Sequence, residues 1–395
     1  MGLGVYFHIP YCLQRCTYCD FATYVHTEIK PPEFYVEVVK KEISLRHHLF
    51  EAFKNTPLKT IYFGGGTPSL IPAESIVNLI AELSKFGYQT GPNTEITIEI
   101  NPATIDERKL EIYLSAGVNR FSVGAQTFSD RLLKMVHREH NSRQTKETLA
   151  LLRKYKLNFS FDLLFALPSQ TLAELQNDVD IAVDLGSKHI SPYCLTVPEG
   201  HPLSKNRPVE TEQVEMFDVI YRKLTDQNFS RYEISNYALP GFESEHNLLY
   251  WTDRNYWGLG LSAHSYMKDT LTGSNWGSRF WNPNNFDIYT QEIESATSAL
   301  KVTDLPSSNT ELLLKNQSLT DFCHTALRLS QGLSGADVQN KFGSHAKELV
   351  DKIAQPLIAH KVIVQAENAY KLTDNGILVS NQVFEKFTFL KNDLL

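Results

Sequence analysis

Cys12, Cys16 and Cys19 stand in the spacing C-x3-C-x2-C, directly after an apolar run at 5–9 and Pro10. Thiols this close in sequence let one tight loop wrap a compact inorganic centre. A closed structural zinc site takes four protein ligands, and the other two cysteines, Cys194 and Cys323, are far along the chain. Three thiolates and a vacant position suit a 4Fe–4S cluster whose fourth iron is open to a ligand. A zinc knuckle, or unrelated reduced thiols, are the alternatives. A second feature, Gly64-Gly65-Gly66-Thr67-Pro68, offers backbone amide and carbonyl groups to the polar end of a small molecule. Alone it is a weak signal, since glycine-rich turns are common. A third, His246-Asn247-x-x-Tyr250-Trp251, combines an imidazole with two aromatic rings. Neutral imidazole ligates iron, and the rings of Tyr250 and Trp251 can line a flat apolar ligand. The plain alternative is a hydrogen-bonded loop histidine beside two core aromatics, because the chain has 13 histidines. His264 is a weaker candidate for the same role.

These groups need a frame. Apolar, strand-like runs at 3–9, 60–63, 95–100, 119–124, 158–165 and 189–195 alternate with helical patterns. Ile76, Leu79, Ile80 and Leu83 mark one helix; Leu172, Leu175, Val179 and Val183 mark another. Such repetition builds a parallel sheet with right-handed crossovers. Strand faces decide between an open doubly wound sheet and a partial barrel. Ile96, Ile98 and Ile100 alternate with Thr97 and Glu99. Phe121, Val123 and Ala125 alternate with Ser122, Gly124 and Gln126. Phe159, Phe161 and Leu163 alternate with Ser160 and Asp162. A sheet covered by helices on both faces reads almost continuously apolar. One oily face and one polar face predict helices outside and a polar lumen, with the site at the C-terminal mouth of the strands. The expected fold is therefore α/β, a partial (β/α)6 TIM-like barrel over 1–200. The aromatic-rich segment 201–294 is expected to cover the barrel mouth. A linker-like stretch at 295–309 opens the last unit, 295–395, whose three helices and short hairpin resemble a winged helix.

Composition narrows the class. The chain has 395 residues, 42% hydrophobic and 21% charged, as in ordinary globular proteins. Net charge is −7, and residues 301–395 hold ten basic and ten acidic side chains. A winged helix without basic surplus lacks the electrostatic attraction that dominates DNA affinity, so nucleic acid is not an expected partner. Five cysteines do not make a disulfide framework, and three clustered thiols point to a reducing compartment. No apolar run has the length of a membrane span, and no charged-then-apolar leader precedes the first strand. A cytoplasmic location is expected, with peripheral membrane association left open.

The cysteine spacing resembles the signature of the radical SAM superfamily. Val5-Tyr6-Phe7-His8-Ile9-Pro10-Tyr11-Cys12, the Gly64–Pro68 turn, Glu99-Ile100-Asn101-Pro102, Ser122-Val123-Gly124-Ala125-Gln126 and Phe161-Asp162-Leu163 further resemble the oxygen-independent coproporphyrinogen III oxidase (HemN-like) family. The likeness runs from residue 3 to about 270, and the last unit resembles that family's C-terminal domain. The oxidases carry a further cysteine where this chain has Phe21, and a segment before the first strand. The C-x3-C-x2-C-x-F pattern and the H-N-x-x-Y-W motif look like the HemW branch, described as heme chaperones.

The resemblance implies that Cys12, Cys16 and Cys19 ligate a 4Fe–4S cluster, with Tyr6 and Tyr18 against the cluster and S-adenosylmethionine (SAM). Gly65, Gly66 and Thr67 would contact SAM, and Glu99 would receive its amino group. Gln126, Arg138 and Asp162 match positions that hold a second SAM in the oxidase. His246, Tyr250 and Trp251 would hold heme. The implied function is heme delivery to acceptor proteins, with an electron donor for the cluster and a monomeric or homodimeric state. Whether SAM is cleaved stays open. The alternative is the oxidase reaction, in which cluster and SAM drive decarboxylation of coproporphyrinogen III propionates to give protoporphyrinogen IX. Purified without oxygen, the protein should be brown. Iron and sulfide analysis should find the cluster lost in a Cys12/Cys16/Cys19→Ala triple variant.

Overall fold

The structure is a computed structural model that describes residues 2–268 and 276–394. Strand β1 (Gly4–Ile9) runs into the cysteine loop, which is bracketed by a two-residue parallel pair, β2 (Tyr11–Cys12) and β3 (Tyr24–Val25). Then follow β4 (Thr60–Gly65), β5 (Glu95–Ile100), β6 (Arg120–Gln126), β7 (Asn158–Phe165) and β8 (His189–Cys194). Between them lie α1 (Pro32–Arg46), α2 (Ala73–Lys85), α3 (Glu107–Ser115), a short α4 (Asp130–Met135), α5 (Ser142–Lys154) and α6 (Leu172–Asp184). Local signals set several helix ends. Asn141 with Gln144, and Thr171 with Glu174, close capping boxes that satisfy otherwise orphaned amides.

Strands β1, β4, β5, β6, β7 and β8 are neighbours in that order, all parallel. The expected faces are in place. Ile96, Ile98, Ile100, Phe121, Val123, Phe159, Phe161 and Leu163 are buried in the main apolar core with the helix stripes. Thr97, Glu99, Ser122, Gly124, Gln126, Ser160 and Asp162 instead line a cavity of about 570 Å³. The sheet is thus a partial barrel with helices outside and a polar lumen.

The remainder of the chain is placed differently from expectation. Segment 201–294 does not form a lid over the mouth. After α7 (Glu210–Asp226), strands β9 (Ser230–Glu233) and β10 (Asn236–Ala238) extend the sheet beyond β8. On the other flank, β11 (Tyr256–Leu259) pairs with β1 as a further parallel strand, followed by antiparallel β12 (His264–Met267), β13 (Ser278–Trp281) and β14 (Thr310–Leu312). Among the described residues, twelve strands make this sheet. Helix α8 (Glu245–Trp251) plugs the opposite end from the mouth. It meets Thr60 and Glu95, the first residues of β4 and β5. The physical reason is that the floor of a partial barrel must be filled, and its polar strand starts need partners. The expected linker is also packed: Ala299 and Val302 are buried in the main core, after α9 (Phe286–Ser295).

The last unit has the expected winged-helix-like order. Helices α10 (Lys315–Arg328), α11 (Gly335–Phe342) and α12 (Ser344–Ala359) surround a sheet of β15 (Leu333–Ser334), β16 (Ile363–Ala366) and β17 (Ala369–Leu372). Cys323 is buried in its core and takes no part in the cysteine loop. Among the described residues, no helix is long and apolar enough to cross a membrane.

One buried polar knot ties β11 to the barrel. The Glu42 carboxylate accepts hydrogen bonds from Arg46 (2.7 Å), Asn282 (2.8 Å), Tyr289 (2.7 Å) and the Gly260 amide (2.8 Å). Removing one partner from such a knot leaves a buried charge uncompensated. Glu42→Ala should lower unfolding free energy by about 3–5 kcal/mol in guanidinium denaturation. Glu37→Ala, which breaks only the exposed pair with Lys40, should cost less than about 1 kcal/mol.

Candidate functional site

The site begins where β1 and β4 end. The Gly66 amide donates to Ile9 O (2.8 Å) and the Thr67 amide to Tyr11 O (2.8 Å). These bonds fasten the glycine turn to the strand that delivers Cys12. No side chain is tolerated there: a Cβ on Gly66 would sit 2.7 Å from Tyr11 O. Gly65 has φ of +110°, and its Cβ would press on the His8 ring at 2.6 Å. Thr67 Oγ1 consequently lies 3.9 Å from Cys12 Sγ. The Cys19 amide donates to Cys16 O (3.2 Å), closing the loop, and Arg138 Nη1 lies 3.5 Å from Cys16 Sγ.

All three cysteines line the large cavity. Burial pushes the Cys12 thiol up to about 11, and burial also raises Cys19. These thiols stay protonated unless a cationic centre draws the protons off. Among the described residues, no three His, Cys, Asp or Glu side chains close around a single metal ion. Three thiols lining one cavity, with an arginine beside Cys16, are a donor set that fits a 4Fe–4S cluster with one open iron position.

Glu99 faces these thiols from β5. Its carboxylate accepts from Tyr62 Oη (2.8 Å) and the Gly65 amide (3.1 Å). Burial nonetheless pushes it up to about 7, with Asp162 adding to the rise. Burial likewise lifts Asp162 to about 6 although Ser191 and Ser122 hydrogen-bond to it. Two half-buried carboxylates on the cavity wall without a full countercharge make a site that gains from a bound ammonium. Gln126 ends β6 with φ of +64°, where the register with β7 shifts. Arg138 also donates to Gly124 O.

Of the residues singled out in the sequence, Tyr6, Tyr18, the three cysteines, Gly65, Gly66, Thr67, Glu99, Gln126, Arg138, Asp162, His246 and Tyr250 all line this one cavity. Trp251 is not among them. Its ring packs under the Arg328 guanidinium at 4.5 Å, and Arg328 pairs with Glu233 at 2.5 Å, so Trp251 faces the last unit. His246 is 1% exposed and lies at the lumen floor. Its Nδ1 bonds Thr60 Oγ1 (2.6 Å) and its Nε2 bonds Tyr250 Oη (2.8 Å). Burial depresses its pKa to about 3, so the ring is neutral. Both nitrogens are engaged in hydrogen bonds in this structure. His264 lies elsewhere, on a second, smaller cavity.

Sequence reasoning missed Tyr62, Thr60 and Glu95. The signal was present for the first two: Thr60 and Tyr62 alternate with Ile61 and Phe63, the same two-faced pattern as the later strands. Glu95 accepts the first amides of α8, from Glu245 (3.2 Å) and His246 (3.0 Å). That contact joins residues 150 apart, and nothing local announces it.

The radical SAM superfamily model matches residues 6–182, and the HemN C-terminal domain model matches residues 315–379. The chain is similar to the heme chaperone HemW of Lactococcus lactis subsp. lactis, with 31% identity over 97% of each chain. It is also similar to the heme chaperone HemW of Synechocystis, 32% over 100% of this chain and 98% of the relative, and of Escherichia coli, 34% over 66% and 69%. The solved structure of coproporphyrinogen III oxidase (HemN) from Escherichia coli shares the fold with a TM-score of 0.80, at 20% identity over 98% of this chain and 90% of that one. A chain that carries the cysteine loop at the mouth of a partial barrel, and matches the Lactococcus and Synechocystis relatives nearly from end to end, belongs to the HemW family within the radical SAM superfamily.

Proposed function

We propose that this protein binds heme and delivers it to acceptor hemoproteins. The observation that carries the reading is its likeness, along the whole chain, to proteins named heme chaperones. Membership of the radical SAM superfamily implies a 4Fe–4S cluster and SAM. Cys12, Cys16 and Cys19 would hold the cluster, which supplies an open iron position and one-electron reduction when bound.

The chain's own residues bind and orient. Gly65 and Gly66 present backbone and Thr67 a hydroxyl to the amino-acid end of SAM. Glu99, kept in place by Tyr62 and the Gly65 amide, receives the ammonium. Tyr6 and Tyr18 pack on the same ligands and keep water out. Gln126, Arg138 and Asp162 form the polar wall proposed for a second SAM. Phe21, 65% exposed, stands where the oxidases carry a further cysteine, so no fourth thiol is offered there. That difference favours carriage over decarboxylation. Segment 201–294 is the proposed heme-associated region. The proposed partners are heme-accepting proteins and an electron donor, in the cytoplasm, with the chain as monomer or homodimer.

Hemin titration under anoxic conditions should give a Soret shift, and added apomyoglobin should then acquire the heme. Anoxic incubation with coproporphyrinogen III, SAM and a reductant should yield no protoporphyrinogen IX; its formation would overturn the chaperone reading. SAM affinity should depend on pH in a defined sense. Glu99 must be ionised to accept an ammonium, and its carboxyl sits up at about 7 before SAM binds. Affinity should therefore climb as pH rises through about 7, then fall as the SAM amine, near the usual α-amino value of about 8, loses its proton. Glu99→Gln should abolish the rising limb and weaken SAM binding about tenfold or more, the loss expected for one charge-assisted hydrogen bond. Equilibrium dialysis across that pH range checks both.

A further inference from the structure

The starts of the strands meet the floor of the lumen, and their polar groups are not all satisfied there. Thr60 and Glu95 spend their side chains on α8. Arg120 and His189 open β6 and β8, and each is 2% exposed. Both line the large cavity. Strand alternation sets Arg120 on the same face as Ser122. In register, Ser122 stands beside Ser160, and Ser160 beside His189. A guanidinium and an imidazole buried on one cavity wall need hydrogen-bond partners.

The partners within the protein fall short. Arg120 Nη1 donates to Phe242 O (3.1 Å), and its Nε lies 4.0 Å from a Glu95 oxygen. That carboxylate already accepts the Glu245 and His246 amides, and burial raises its pKa, which makes it a poor counterion. A guanidinium carries five N–H donors; among the described residues, its one hydrogen bond is to Phe242. His189 Nε2 bonds Tyr232 Oη (2.8 Å), and that oxygen accepts the Ser244 amide (3.4 Å). The single hydroxyl hydrogen of Tyr232 is then directed to Nε2, which leaves the imidazole proton on Nδ1. Nδ1 is buried and, among the described residues, has no hydrogen-bond partner. Burial, with Arg120 adding to it, holds the His189 pKa well below the ordinary imidazole value, so the ring is neutral.

A guanidinium and an N–H group with donors to spare fit an anion with two oxygens, and a carboxylate is the plainest such group. The lumen's own carboxylates do not fill the role. Glu99 stands two residues nearer the mouth than Thr97, the register neighbour of Arg120. Asp162 stands two residues nearer the mouth than Ser160, the neighbour of His189. Each step is about 6–7 Å of strand. Arg120 draws the Asp162 carboxyl down through space, but no hydrogen bond joins them among the described residues. The acidic wall and the basic floor are therefore separate parts of one cavity.

We propose that Arg120 and His189 form a carboxylate-binding subsite on the lumen floor, next to the helix that carries His246. The proposal rests on the heme-carriage reading, whose ligands bear two kinds of carboxylate: the propionates of heme and the amino-acid end of SAM. Position favours a propionate. The amino-acid end of SAM is assigned to Gly65, Gly66 and Glu99, toward the mouth. Phe242 and Ser244, which hold Arg120 and Tyr232, instead lead directly into α8 with its H-N-x-x-Y-W residues. A porphyrin bound at that helix has a propionate receptor beside it, made of two groups that the protein leaves incompletely paired.

Two ligand pairs test it on the full chain: hemin against its dimethyl ester by anoxic titration, and SAM against decarboxylated SAM by equilibrium dialysis. The natural protein should bind hemin about tenfold or more tightly than the ester, the difference expected for one charge-assisted hydrogen bond. Arg120→Gln and His189→Phe should each lose most of that preference. Each variant is compared with itself on two ligands, so a general loss of stability cancels. A preference found in the SAM pair alone, and lost in both variants, would keep the subsite and assign its carboxylate to SAM. No preference within either pair in the natural protein, or one that both variants retain, would overturn the subsite. Hemin and its ester binding equally well would leave heme carriage intact. Failure to bind hemin in either form would overturn the chaperone reading, and the SAM pair would then decide the subsite by itself.

Discussion

Two backbone hydrogen bonds, Gly66 N to Ile9 O and Thr67 N to Tyr11 O, hold the rest of the site together. They tie the turn after β4 to the segment entering the cysteine loop, and no Cβ fits between them. Each functional group is then placed by short covalent distances from this joint. Cys12 follows Tyr11 directly. Thr67 comes beside its sulfur. Gly65 spends its amide on Glu99, which fixes that carboxylate over the cavity. The glycines are needed less for flexibility than for close approach, since a methyl group would force two strand ends apart.

The lumen is costly to maintain. Glu99 and Asp162 are half-buried carboxylates on the cavity wall, and lost solvation lifts both toward neutral pH. Hydrogen bonds from Tyr62, Ser122 and the Gly65 amide offset part of that cost. A cationic ligand would offset more, because an ammonium favours the ionised form of any carboxylate it meets in a dry site. The thiols show the same logic with the proton as the ligand that must leave. An interior built this way is incomplete as a purely structural core, which supports its reading as a binding site.

The barrel has two different ends. At the mouth, the cysteine loop, the glycine turn and Arg138 come together. At the floor, α8 is held by Glu95 through its first amides and by Thr60 through His246. The last unit reaches the same helix from outside, through Arg328 over Trp251, and reaches the following turn through Lys341 on Asp253 at 2.5 Å. The H-N-x-x-Y-W residues therefore work as a joint between lumen and last unit: His246 and Tyr250 point inward, Trp251 outward. A motif seen as one patch in sequence is divided between two sides of a helix, since residues at adjacent positions lie about 100° apart.

The sequence by itself determined whatever depends on neighbours along the chain. The cysteine spacing, the glycine turn and the polar–apolar alternation of β5, β6 and β7 were enough to place helices outside and Glu99, Gln126 and Asp162 inside, because strand geometry leaves side chains only two faces. Tertiary structure alone decided which distant segments meet. That β11 pairs with β1, that α8 fills the floor instead of covering the mouth, and that His246 spends both nitrogens on Thr60 and Tyr250 all follow from contacts across more than a hundred residues, or across opposite ends of the sheet. Local periodicity carries no record of such partners.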